Sequence, residues 1–145
     1  PGGEALLIDE SYNANPASMR AALALLGQAD VGLRGRRIAV LGDMLELGTE
    51  GKKLHASLAQ SVVDNAVDLV FCSGPLMRSL WEALPSARRG GYAEASAALE
   101  PEVLGAVRAG DAIMIKGSLG SKMGPIVKAL ARQFSSQGAE APAQG

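Results

Sequence analysis

Four short apolar runs constrain the fold more than any other feature of this sequence. They are Ala5-Leu6-Leu7-Ile8, Ile38-Ala39-Val40-Leu41, Leu69-Val70-Phe71-Cys72 and Ala112-Ile113-Met114-Ile115. None alternates apolar with polar residues, and each runs out into Gly or a polar group. A strand with one face in water must alternate, whereas a strand covered on both faces need not. The runs therefore predict strands buried in a parallel sheet. A weaker fifth strand is expected near Arg88–Tyr92.

Helical spacing fills the intervals. Met19, Ala22, Leu23 and Leu26 repeat at i, i+3, i+4 and i+7, while Leu54, Leu58, Val62 and Leu76, Leu80, Leu84 keep a four-residue step. Met123, Ile126, Val127, Leu130 and Phe134 mark a last amphipathic helix. Asn15-Pro16 reads as N-cap plus first residue of the first helix, and Ser121 as a cap of the last. Ala93 to Arg108 also reads as helix, with Pro101 leaving its start open. Strand and helix thus alternate, which predicts an α/β fold: a doubly wound, mostly parallel sheet with helices on both faces. That domain is expected over residues 1–134. Residues 135–145 lack any large apolar side chain and read as a disordered tail.

Composition narrows the function. At 145 residues, with 48% hydrophobic and 20% charged, the chain can bury a core without metal or disulfide staples. A formal charge of -1 and 3% aromatics argue against a nucleic-acid binder. One Cys and one His exclude a disulfide framework and any Cys/His zinc site within the chain. Apolar stretches break within about eight residues, far short of the roughly 20 that cross a bilayer. With no signal-like start, a cytoplasmic location and no membrane insertion are expected. The chain opens with Pro1-Gly2-Gly3 and no Met, as a fragment or a processed product would.

In open α/β sheets, ligands collect beyond the carboxyl ends of the strands. The first strand exits into Asp9-Glu10-Ser11-Tyr12-Asn13-Ala14-Asn15-Pro16, and the second into Gly42-Asp43-Met44-Leu45-Glu46-Leu47-Gly48. The third exits into Ser73-Gly74-Pro75, and the last clear strand into Lys116-Gly117-Ser118-Leu119-Gly120-Ser121-Lys122. Carboxylates, amides and lysine on one rim suit a polar or zwitterionic ligand. Neither G-x-G-x-x-G nor a Walker A sequence occurs, so a phosphate cradle for ATP belongs to another domain or chain.

Each residue also has a plainer reading. Asn15 suits a helix cap, and Asp43 suits a turn cap as well as a ligand. Lys116, followed by Gly-Ser, reads as a ligand contact more than a solvated strand end. His55 reads as packing or surface, Cys72 as core, and Arg34-Gly35-Arg36-Arg37 as a solvated loop.

Three strings in this order are far more specific together than apart: Leu7-Ile8-Asp9-Glu10-Ser11-Tyr12-Asn13-Ala14-Asn15-Pro16, Val40-Leu41-Gly42-Asp43-Met44-Leu45-Glu46-Leu47-Gly48, and Lys116-Gly117-Ser118. They resemble the carboxyl-terminal domain of the Mur ligases over about Glu4 to Phe134, with the nearest likeness to members that add D-Ala-D-Ala in peptidoglycan synthesis. The resemblance implies a Rossmann-like domain of an ATP-dependent amide ligase. It would work with an amino-terminal domain holding the UDP-sugar peptide and a central domain carrying the phosphate loop and Mg2+. By itself the domain is expected to be inactive.

The resemblance also implies roles. Glu10, where many relatives have Asp, is expected near the ATP ribose, with Asp9 in reserve and Tyr12 and Asn13 beside the nucleotide. Asn15, Lys116 and Ser118 are candidates for holding D-Ala-D-Ala, with Lys116 on its carboxylate. Asp43 would receive its ammonium or order the loop. Leu119 stands where many relatives carry Arg, and Lys122 is the candidate to compensate. The alternatives are another Mur ligase, a folylpolyglutamate synthase, or a stand-alone flavodoxin-like module.

Overall fold

A computed structural model describes residues 6–10 (backbone only), 15–31, 35–45, 47–117 and 122–134. The elements are β1 (Leu6–Glu10), α1 (Pro16–Gly27), β2 (Arg37–Gly42), α2 (Gly51–Asp64), β3 (Leu69–Ser73), α3 (Met77–Ala83), β4 (Arg89–Ala93), α4 (Ser96–Ala106), β5 (Ala112–Lys116) and α5 (Gly124–Gln133). The strands form one sheet in the order β1-β5-β2-β3-β4, and every pairing is parallel.

Successive strand residues point to opposite faces, and two separate cores result. Ala39, Leu41, Val70, Cys72, Ala112 and Met114 pack with α1, α2 and α3 on one face. Ile38, Val40, Phe71, Ile113 and Ile115 pack with α4 and α5 on the other. Both faces are covered, which is why the runs did not alternate. Each run extends one or two residues further than its apolar part. Asp9, Glu10, Ser73 and Lys116 are the last residues of their strands, not loop residues.

The fifth strand is real and forms the edge. It carries Gly90 because the Phe71 ring leaves no room for a side chain there, and Gly91 beside the flexible end of exposed Glu102. A Cβ at Gly90 would lie 2.8 Å from the Phe71 ring, and one at Gly91 2.3 Å from Glu102 Oε1. Pro101 sits inside α4, not at its start.

Asn15 caps α1 as expected. Its Oδ1 accepts from the Ser18 N–H at 2.8 Å, and Ser18 Oγ accepts from the Asn15 N–H at 3.0 Å, completing a capping box. The N-cap of α5 is Met123; Ser121 lies outside the described residues, as does the tail from residue 135.

The Arg36–Arg37 pair corrects the solvated-loop expectation. Arg36 Nη2 pairs with the buried Asp111 carboxylate at 2.9 Å and donates to the Ala106 carbonyl at 2.6 Å. Arg37 opens β2, its N–H donating to Asp68 and its guanidinium to the Ala29 carbonyl. These arginines fasten the amino-terminal edge of the sheet; Arg34 lies outside the described residues.

Candidate functional site

A crevice of about 300 Å³ opens at the carboxyl rim of the sheet. Asp43 and Leu45 reach it from β2, Ser73, Gly74 and Pro75 from β3, Glu94, Ala95 and Ser96 from β4, and Lys122 from the loop before α5. The fold dictates this place. After β3 the chain turns into α3 on one face, and after β4 into α4 on the other. The divergence of successive helices leaves a gap above the strand ends, as at other switch points of open sheets.

Asp43 forms the back of the gap. It is 7% exposed, and its carboxylate accepts from the Met77 N–H at 2.8 Å and the Leu76 N–H at 3.2 Å. It thus caps α3 from 33 residues away, satisfying amides that helix geometry leaves without partners and placing its charge at the positive end of the helix dipole. Gly74 makes the approach feasible. Its φ is +111°, and a Cβ there would lie 2.3 Å from Asp43 Oδ1. Only glycine meets both demands.

The loop carrying Asp43 is held by His55, which is fully buried in α2. The Met44 N–H lies 2.9 Å from His55 Nε2, and Nδ1 lies 2.6 Å from the Gly51 carbonyl. Nε2 must accept and Nδ1 must donate, so the ring is the neutral Nδ1–H tautomer. His55 is a structural tie, in agreement with its reading as packing. The apolar stripe of α2 is correspondingly rotated: His55, Leu58 and Val62 are buried, while Leu54 is half-buried.

Across the gap, the Tyr92 hydroxyl donates to the Gly74 carbonyl at 3.0 Å. Partial burial raises the Tyr92 pKa, and the Glu94 charge beside it raises it further. Ser96 Oγ donates to the Lys122 carbonyl at 2.8 Å, joining α4 to the loop before α5. Cys72 lies beneath the rim, fully buried. Burial first and the Asp43 charge second push its thiol far above the usual range, so it stays protonated and unreactive.

Of the described residues singled out from sequence for D-Ala-D-Ala, only Asp43 lines the crevice. Lys116 is 4% exposed, at the end of β5 between β1 and β2, and its register partner on β1 is Glu10. The Asn15 side chain is engaged in its capping box on α1. The backbone puts Asp9 and Glu10 on the same rim, two strands from Asp43, without describing their side chains. Tyr12, Asn13 and Ser118 lie outside the described residues.

Sequence reasoning passed over Glu94 and Ser96. Their signal was available, since they follow β4 as Asp43 follows β2. The weakness of the Arg-Gly-Gly-Tyr strand hid it.

The description "Mur ligase, glutamate ligase domain" matches residues 2–119. Among curated proteins, the UDP-N-acetylmuramoyl-tripeptide–D-alanyl-D-alanine ligase of Bacillus subtilis (strain 168) is 34% identical over 128 residues, 86% of this chain and 27% of its own length. The ligase of the same name from Escherichia coli (strain K12) is 32% identical over 126 residues, 86% of this chain and 26% of its own. The chain spans about a quarter of the length of these relatives. Among solved structures, MurF ligase from Thermotoga maritima in complex with ADP superposes with a TM-score of 0.73 at 21% identity, covering 92% of this chain and 29% of that one. MurF from Acinetobacter baumannii gives 0.71 at 24% identity, covering 84% and 26%. The structural likeness shows the doubly wound fold, and the sequence match sets aside a stand-alone signalling module. The chain belongs to the Mur ligase family, as its carboxyl-terminal, glutamate ligase domain.

Proposed function

We propose that this domain presents D-Ala-D-Ala, and part of the ATP site, in a ligase that joins the dipeptide to UDP-N-acetylmuramoyl-tripeptide in the bacterial cytoplasm. The observation that carries this reading is the strand-end crevice, which offers carboxylate, hydroxyl and ammonium groups to one small polar ligand. The names of the curated relatives agree with it.

On this reading, the terminal carboxylate of the tripeptide takes the γ-phosphoryl group of ATP, giving an acyl phosphate and ADP. The deprotonated amine of D-Ala-D-Ala attacks the acyl carbon and the C–N bond forms; the C–O bond then breaks, phosphate leaves with its electron pair, and the nitrogen gives up a proton to solvent. The domain's contribution is orientation and exclusion of water. The resemblance assigns Asp9, Glu10, Tyr12 and Asn13 to the nucleotide and Asn15, Asp43, Lys116 and Ser118 to the dipeptide; of the last four, the crevice lining supports Asp43. Among the described residues no group of three His, Cys, Asp or Glu stands together. The resemblance places Mg2+ with the phosphate loop of the central domain.

The test is phosphate release by the complete ligase carrying this domain, supplied with ATP and UDP-N-acetylmuramoyl-tripeptide. Release should depend on D-Ala-D-Ala. Dependence on D-glutamate or another single amino acid would overturn the reading. The 145-residue chain by itself should release no phosphate from ATP.

A further inference from the structure

Two opposite charges face the crevice with no ion-pair partner among the described residues: Glu94 at the end of β4 and Lys122 before α5. Asp43 differs from Glu94, because its oxygens already accept the first amides of α3. A ligand charge reaching Asp43 would have to compete with that cap, whereas Glu94 is exposed.

Lys122 has a second peculiarity. Its φ is +55°, in the left-handed region that costs an L-residue energy, and Ser96 pins its carbonyl there. Strain of this kind persists where surrounding structure over-determines it, often at ligand sites. Glycine would take the conformation freely but would bring no ammonium group to the crevice wall.

We propose that Lys122 binds the carboxylate of the zwitterionic dipeptide and Glu94 its ammonium, with Asp43 shaping the crevice behind them. The inference rests on the functional reading above and moves the carboxylate contact from Lys116 to Lys122. A dipeptide spans roughly 7 Å between its ends, about one and a half strand spacings. The Ser96–Lys122 hydrogen bond draws the loop before α5 up to the start of α4, so Lys122 and Glu94 line one crevice of that scale although β5 and β4 are not neighbours in the sheet. Both charges then pair with ligand, and neither is buried bare.

The test uses the complete ligase with Lys122→Gln, Lys122→Gly and Glu94→Gln. Each should raise the KM for D-Ala-D-Ala about tenfold, the scale of one charge-assisted hydrogen bond, and leave the KM for ATP in place. Chemical matching separates contact from scaffolding. D-Ala-D-alaninamide lacks the carboxylate, so wild-type enzyme should discriminate against it and Lys122→Gln should lose that discrimination. N-propionyl-D-alanine lacks the ammonium, so its weak competition should approach that of the dipeptide in Glu94→Gln. Lys122→Gly should melt no lower than wild type. Undiminished discrimination in the variants, or a raised KM in Lys122→Gly accompanied by a loss of stability, would overturn the proposal. If wild-type turnover does not depend on D-Ala-D-Ala, the functional reading itself fails, and the two failures are thereby distinguished.

Discussion

Two buried aspartates stand at opposite ends of the sheet and do different work. Asp111, just before β5, accepts from Arg36 Nε and Nη2 and from the N–H groups of Arg36 and Arg108. Asp43, just after β2, accepts from the first amides of α3 and lines the crevice. Both are less than a tenth exposed and both are hydrogen-bonded to backbone. Burial and hydrogen bonding therefore do not mark a functional carboxylate here. What separates the two is the end of the sheet each occupies: the amino end is closed by Arg36, while the carboxyl end is left open by the divergence of α3 and α4.

Removing Asp111 should produce the largest effect, and a purely structural one. Asp111→Ala leaves the partly buried Arg36 guanidinium without its carboxylate and should cost about 3–5 kcal/mol of folding free energy, read by denaturant unfolding. Enzyme that remains folded should keep its KM for D-Ala-D-Ala; a raised KM would break the comparison. Gly74→Ala strikes the other end. It forces a side chain into a left-handed position and against the Asp43 carboxylate, a cost of about 2–3 kcal/mol. Here KM should rise with the loss of stability, because the crevice itself is deformed.

Lys122→Gly should act in the opposite sense at the same rim. Relief of the left-handed conformation should stabilise by up to about 1 kcal/mol, offset in part by the greater freedom of glycine in the unfolded chain. Thermal melting reads it, and destabilisation would show that the Lys122 side chain supports the fold. The exposed Arg78–Glu82 pair on α3 sets the lower end of the scale. Arg78→Ala should change stability by about 0.2–0.5 kcal/mol. A larger loss would mean that the helix capped by Asp43 depends on more than its cap.

Much of the fold was legible because local pattern carries it. The apolar runs mark the doubly covered strands, and Asn15-Pro16 marks the start of α1 with no help from elsewhere in the chain. What escaped depends on partners far along the sequence. Arg36 and Asp111 are 75 residues apart, so Arg36, which read as part of a solvated loop, is in fact one half of a staple. Gly90 and Gly91 weaken the strand signal, Gly90 for the sake of the Phe71 ring, and with β4 obscured, Glu94 went unread. Asp43 was found from its place after a strand, but its capping of α3 was not visible in sequence. His55 was read as packing; that it holds the Met44 amide follows only from the fold.

On the proposed function, the carboxyl rim, and not the amino end, receives the dipeptide. Amide chemical-shift mapping in the complete ligase, with this domain segmentally labelled, tests it most directly. On titration with D-Ala-D-Ala, the signals of Leu45, Gly74, Glu94 and Ser96 should move while those of Arg36, Arg108 and Asp111 stay in place. Shifts confined to the amino end, or none at saturating dipeptide in an enzyme that turns it over, would place the dipeptide elsewhere than the carboxyl rim.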